Sequence, residues 1–79
     1  MRLKMKVWVI THCAAEENGT PVVAGSKEKA TSILKEIYDN LVNDFEDSIF
    51  SNELWDTKAE IIYKDDTYDV FEIFECEVE

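Results

Sequence analysis

Apolar and polar side chains alternate at the beginning and end of this chain of 79 residues, and give way between them to a three-and-four spacing. From Leu3 to Thr11, Leu3, Met5, Val7 and Val9 fall on one face while Arg2, Lys4, Lys6, Trp8 and Ile10 fall on the other, which predicts a first strand. Asn18-Gly19 is a two-residue hairpin signal, and Thr20 to Ala24 reads as the return strand. Pro21 has no N–H for a ladder hydrogen bond, so this strand belongs at a sheet edge. Gly25-Ser26 stops the sheet and opens a helix with Ser26 as its N-cap. Ala30, Ile33, Leu34, Ile37, Tyr38, Leu41, Val42 and Phe45 then share one helical face. From Glu46 to Asp56 the spacing loosens. Ile49, Phe50, Leu54 and Trp55 need burial but fit no single period, so a turn with one short helical piece is expected. Lys58 to Lys64 predicts a third strand, Asp65-Asp66-Thr67 a tight turn, and Tyr68 onward a fourth strand.

This order, ββαββ, predicts one α+β domain over residues 1–79: a four-stranded antiparallel sheet with one long helix packed on one face. Pairing the first and last strands gives the sheet order 2-1-4-3. With Arg2 opposite Glu79, Lys4 meets Glu77, Lys6 meets Glu75, Trp8 meets Ile73, Ile10 meets Phe71 and His12 meets Asp69. Opposed charges and aromatic to β-branched pairs each contribute ~0.2 to 1 kcal/mol, and a slip of one residue forfeits the set. Val9 beside Glu72 is the one mismatch on the other face. The face of Leu3, Val7, Phe74 and Val78 is expected to take the helix. That leaves Trp8, Ile10, Phe71 and Ile73 on the far face, where either residues 45–55 fold over them or they form an oligomer or partner patch.

Charge narrows the function. Eighteen acidic residues against eight basic ones give a formal net charge of −10, which repels nucleic-acid backbones and anionic membrane surfaces and favours a basic protein partner. A hydrophobic content of 46% speaks for a folded chain in spite of that charge. No apolar run approaches the ~20 residues that span a bilayer, and the first ten residues lack a signal peptide's separate basic and apolar regions, so a cytoplasmic protein is expected. Cys13 and Cys76 form no clip and lie too far apart along the ladder for a disulfide. They are expected to be small buried side chains in a reducing compartment.

Little in the sequence supports catalysis. His12 and Cys13 are adjacent, but in a strand they point to opposite faces, and His12 opposite Asp69 reads as a cross-strand polar pair. With two glycines in the chain there is no phosphate-cradling loop. Asp65-Asp66-Thr67 with Asp69 lacks the glycine and terminal glutamate of a calcium loop. No catalytic residue, metal or cofactor is expected, and the protein is read as non-enzymatic.

The helix breaks a local rule. Acidic residues favour a helix's first turn and basic ones its last, yet Lys27 and Lys29 open this helix, while Asp39, Asp44, Glu46 and Asp47 crowd its end. Glu28 offsets only the first group. The pattern is either a solubilising face or a surface for a cationic partner, formed by Glu36, Asp39, Asp44, Glu46, Asp47, Glu53 and Asp56.

In its overall layout, an acidic chain of this size with a hairpin, one helix opening Ser26-Lys27-Glu28-Lys29-Ala30 and a C-terminal hairpin resembles small phage and mobile-element proteins, among them some anti-CRISPR proteins. No single motif carries that resemblance. It implies stoichiometric inhibition of a host defence complex, in the host cytoplasm, by an acidic nucleic-acid mimic that blocks a basic groove. An antitoxin or immunity-type protein that masks a basic toxin, and a small homo-oligomeric module such as a homodimer, are the alternatives.

Overall fold

The computed structural model describes residues 5–14 and 18–78 and is organised around one long antiparallel pair, β1 (Met5–Ala14) against β5 (Tyr68–Val78). Between them come β2 (Val22–Ala24), α1 (Lys27–Asp44), a 3₁₀ turn at Glu46–Ser48, β3 (Ile49–Leu54) and β4 (Lys58–Tyr63). The class is α+β, and the strands form one antiparallel sheet in the order β2-β1-β5-β4-β3.

The four strands expected from the sequence keep their order, with a fifth, β3, added at the free edge. Residues 46–56 are not just a turn with a short helical piece. The 3₁₀ turn is that piece, and a strand follows it. Its alternation is hidden because the register shifts between Ile49 and Ser51, a bulge that throws Phe50 outward to 74% exposure. Ile49 and Leu54 stay half-buried, and the Tyr38 hydroxyl donates to the Asn52 side chain, tying this edge to the helix.

β1 and β5 pair two residues away from the expected register. Lys6 stands opposite Glu77, Trp8 opposite Glu75, Ile10 opposite Ile73 and His12 opposite Phe71. An even offset keeps every side chain on its face. Two of the expected side-chain pairs nevertheless form, along diagonals: Lys6 Nζ lies 3.1 Å from Glu75, and His12 Nε2 lies 2.7 Å from Asp69. Diagonal neighbours across a pair are ~7 to 8 Å apart at the backbone, within reach of long side chains. The observed register also removes the Val9–Glu72 mismatch, since Val9 faces Phe74, and Glu72 lies between Thr11 and Lys58. The expected partners Arg2, Leu3, Lys4 and Glu79 lie outside the described residues.

The helix covers the face opposite to the expected one. Ile10, Phe71 and Ile73 are buried beneath α1 with Ala24, Ala30, Leu34 and Ala59, and Trp8, Ile33, Ile37, Tyr38, Leu41 and Leu54 pack around them. Ile10, Phe71 and Ile73 are therefore core, with Trp8 half-buried against them, and the four do not form an exposed oligomer or partner patch. The layer over them is the helix itself rather than residues 45–55. The strands beside the central pair decide this. Ala24 on β2 and Ala59 and Ile61 on β4 align with the Ile10 face, so four strands offer it apolar or small side chains. The opposite face carries Glu53, Lys58, Glu60 and Glu72, which a helix could cover only by burying charge. Cys13 and Cys76 fall on that opposite face and are exposed free thiols, not buried side chains.

The helix begins as its sequence dictates, with Ser26 Oγ accepting the Lys29 N–H at 3.1 Å, and ends where the Phe45 N–H donates to the Leu41 carbonyl. Ala30 and Ala59, both without exposed surface, let it approach the sheet closely. Among the described residues no helix is long and apolar enough to cross a membrane.

Leu34 is fully buried between helix and sheet, so Leu34→Ala is expected to cost ~2 to 5 kcal/mol, against a total of only ~3 to 5 kcal/mol for so small a core. Ser26→Ala removes one cap hydrogen bond and is expected to cost ~1 kcal/mol. Urea unfolding followed by circular dichroism ranks the two; equal losses would contradict the placement of Leu34.

Candidate partner-binding site

α1 runs alongside β4 so that its acidic end reaches the sheet end where β4 turns into β5. Phe45, just past the helix, meets Tyr63 edge-on with ring centroids 6.0 Å apart, and the Lys64 N–H donates to the Ser48 carbonyl. These contacts hold the helix end over the β4–β5 turn. The turn is a three-residue loop, Lys64-Asp65-Asp66, in which the Asp66 N–H donates to the Tyr63 carbonyl and the Tyr63 N–H to the Thr67 carbonyl. Asp66 takes φ 70°, the left-handed region that aspartate tolerates better than most residues. Asp65 accepts from the Thr67 hydroxyl and backbone N–H, which lowers its carboxyl below the usual range.

A shallow groove of about 550 Å³ opens between the helix end and this turn, lined by Phe45, Asp47, Ser48, Tyr63, Lys64, Asp65, Thr67 and Asp69. Two aromatic rings, three carboxylates and one lysine make it a surface suited to a cationic side chain: the exposed Phe45 offers aromatic surface to a guanidinium, and the carboxylates its counter-charge.

Polar side chains from three strands meet at the edge of the groove. Asp69 of β5 accepts from the Tyr63 hydroxyl of β4 at 2.6 Å through Oδ2, and lies 2.7 Å through Oδ1 from His12 Nε2 of β1. The His12 ring stacks on Phe71 at 4.3 Å, nearly parallel. Gly19 is required beside it, because a Cβ there would come within 2.1 Å of His12 Nδ1. With both Asp69 oxygens engaged, the cluster ties β1, β5 and β4 together. Burial raises the Tyr63 hydroxyl well above the ordinary tyrosine value of 10, and the hydrogen bond and charge of Asp69 act in the same direction.

All seven residues expected to bind a partner are exposed, but they do not form one surface. Asp44, Glu46 and Asp47 lie together at the helix end beside the groove. Glu36 and Asp39 sit farther back on the helix, where Asp39 is held by Lys35 at 2.7 Å. Glu53 points from the sheet face away from the helix and stands opposite Glu60. Asp56 lies at the helix's other end, where its carbonyl accepts from the Thr31 hydroxyl and it shares a hollow with Lys27, Glu28 and Thr31. Asp65 and Asp69, which line the groove with Asp47, join the helix-end group in their place. The signal for them was in the sequence, in the Asp-Asp turn, but it acquires meaning only once the turn is known to sit at the helix's acidic end. Among the described residues no group of three or more His, Cys, Asp or Glu side chains is placed to hold a metal ion.

No protein-family model, curated protein or solved structure matches this chain.

A tyrosine with a raised folded-state value contributes stability that is fully present below its unfolded value and is lost as pH climbs through 10 and beyond. Wild type should therefore lose stability from about pH 10 upward more steeply than Tyr63→Phe. At pH 7 the variant should be weaker by about 1 kcal/mol for the lost hydrogen bond. Melting curves across this range check it; parallel losses would show that the fold does not raise the Tyr63 hydroxyl.

Proposed function

We propose that this protein is a non-enzymatic inhibitor that binds a basic site on another macromolecule through the acidic end of α1. One observation carries the reading. Asp44, Glu46 and Asp47 are exposed at the end of a helix whose last turn holds no basic residue, beside an aromatic and carboxylate groove. Carboxylates there oppose the helix dipole, at ~0.3 to 1 kcal/mol each, and among these three no internal ion pair offsets that cost. An arginine or lysine of a partner would supply the missing charge and stack on Phe45.

Clustered carboxylates on a firm scaffold are also what a nucleic-acid mimic needs, because a groove built for phosphates meets the same sign of charge. The finer proposal is therefore inhibition of a nucleic-acid-handling complex, of the kind that phage anti-defence proteins of the anti-CRISPR type block. An antitoxin or immunity-type role would use the same end of the molecule against a basic toxin.

Capture from native extracts at low and high salt, with bound proteins identified by mass, tests the proposal. Wild type is expected to retain a basic partner at low salt and release it at high salt. The triple variant Asp44→Lys, Glu46→Lys and Asp47→Lys should lose it, with association slowed ~10- to 1,000-fold. Glu53→Lys with Asp56→Lys, which lie elsewhere, should retain it. Undiminished capture by the triple variant removes the proposal. Displacement of the protein by the partner's own nucleic acid separates a mimic from an antitoxin.

A further inference from the structure

One face of the sheet has no layer on it. At the end of the β1–β5 pair away from the acidic groove, Met5 faces Val78, Val7 faces Cys76 and Val9 faces Phe74 on this open side, with Val23 of β2 beside Val9. The seven side chains are contiguous and none is charged. Met5 is 64% exposed, Val23 62%, Val78 48% and Phe74 46%, while α1 lies on the other face. The first charge beyond them on this face is Glu72, which stands opposite Lys58 in the register with β4.

We infer that this face is the interface of a homodimer, two copies packing sheet against sheet. Area is the first argument. At ~150 to 200 Å² for each fully exposed side chain, the patch presents on the order of 500 Å², the upper end of what a monomer leaves uncovered. Two such patches bury roughly 1,000 Å², the size at which a specific interface begins. Charge is the second argument. A chain of −10 must associate with itself through a surface free of carboxylates, and these seven positions form one, whereas the helix end would set like charges against each other. A twofold contact matches the patch with itself, at the ~10 Å spacing of packed sheets. The Val7–Cys76 rung is the middle one of its three rungs, so Val7 and Cys76 of both copies fall inside the contact. Both acidic grooves then point away from the interface.

Analytical ultracentrifugation of the full chain over a range of concentrations tests this. The wild type is expected at twice the monomer mass of 9.2 kDa. Phe74→Lys should raise the dimer dissociation constant at least ~30-fold, the effect of losing one interface anchor, with an unchanged circular dichroism spectrum because Phe74 is not in the core. Val23→Lys, on a short edge strand, gives the same reading should Phe74→Lys fail to fold. The charge-reversed Asp44, Glu46 and Asp47 variant should dimerise as wild type does, which separates this inference from the proposed function. A wild type that stays monomeric at hundreds of micromolar overturns the inference. So does a dimer indifferent to both lysine substitutions, or a monomer that uses this face to bind neutral lipid vesicles.

Discussion

The rest of the structure depends on how β1 and β5 pair. These two strands, distant in sequence, make the central ladder; β2, β4 and the helix pack directly on them, and β3 is added through β4. Because strand side chains alternate, the pairing creates two faces with different chemistry, and the outer strands choose between them. Ala24, Ala59 and Ile61 extend the apolar surface on one side, while Glu53, Lys58 and Glu60 interrupt it on the other. The helix goes where burial costs no charge. The uncovered apolar stretch at the far end of the pair follows from the same choice.

The result is a molecule with two ends of different character. At one, the acidic end of α1 sits over the Lys64-Asp65-Asp66 loop, and the Tyr63–Asp69–His12 cluster stiffens the strands beneath. At the other, the open side of the β1–β5 ribbon is apolar while its helix side carries Lys6 paired with Glu75. With the apolar open face at one end and the acidic helix end at the other, two copies could join by the first without setting their acidic grooves against each other. Two copies joined in this way would present two acidic surfaces, and a target with two basic sites at the right spacing would be held more firmly than by either alone.

Most of the fold was legible in the sequence, for reasons that can be traced to particular residues. Ser26 and the apolar spacing from Ala30 to Leu41 specify the helix, Pro21 puts β2 at an edge, and the charge pairs bring the first and last strands together. Three features were not legible. The register is off by two because Lys6 and His12 reach their acidic partners diagonally, so pairing charges straight across misplaces the backbone. The covered face was inverted because the central pair is amphipathic in both directions, and the tie is broken by alanines on neighbouring strands that carry little hydrophobic signal of their own. β3 was missed because a bulge at Phe50 erases its alternation. The acidic end of the helix is visible as a broken charge rule, but Asp65 and Asp69 join it only through the tertiary fold, and Glu53 and Asp56 leave it for the same reason.

The choice of face can be read directly by nuclear Overhauser spectroscopy on methyl-labelled protein. The account predicts cross-peaks linking the Leu34 methyl groups to the cluster of Ile10, Phe71 and Ile73, and none to Val7, Val9 or Phe74. Cross-peaks from Leu34 to Val9 and Phe74, with Ile10 and Ile73 silent, would place the helix on the other side and contradict it.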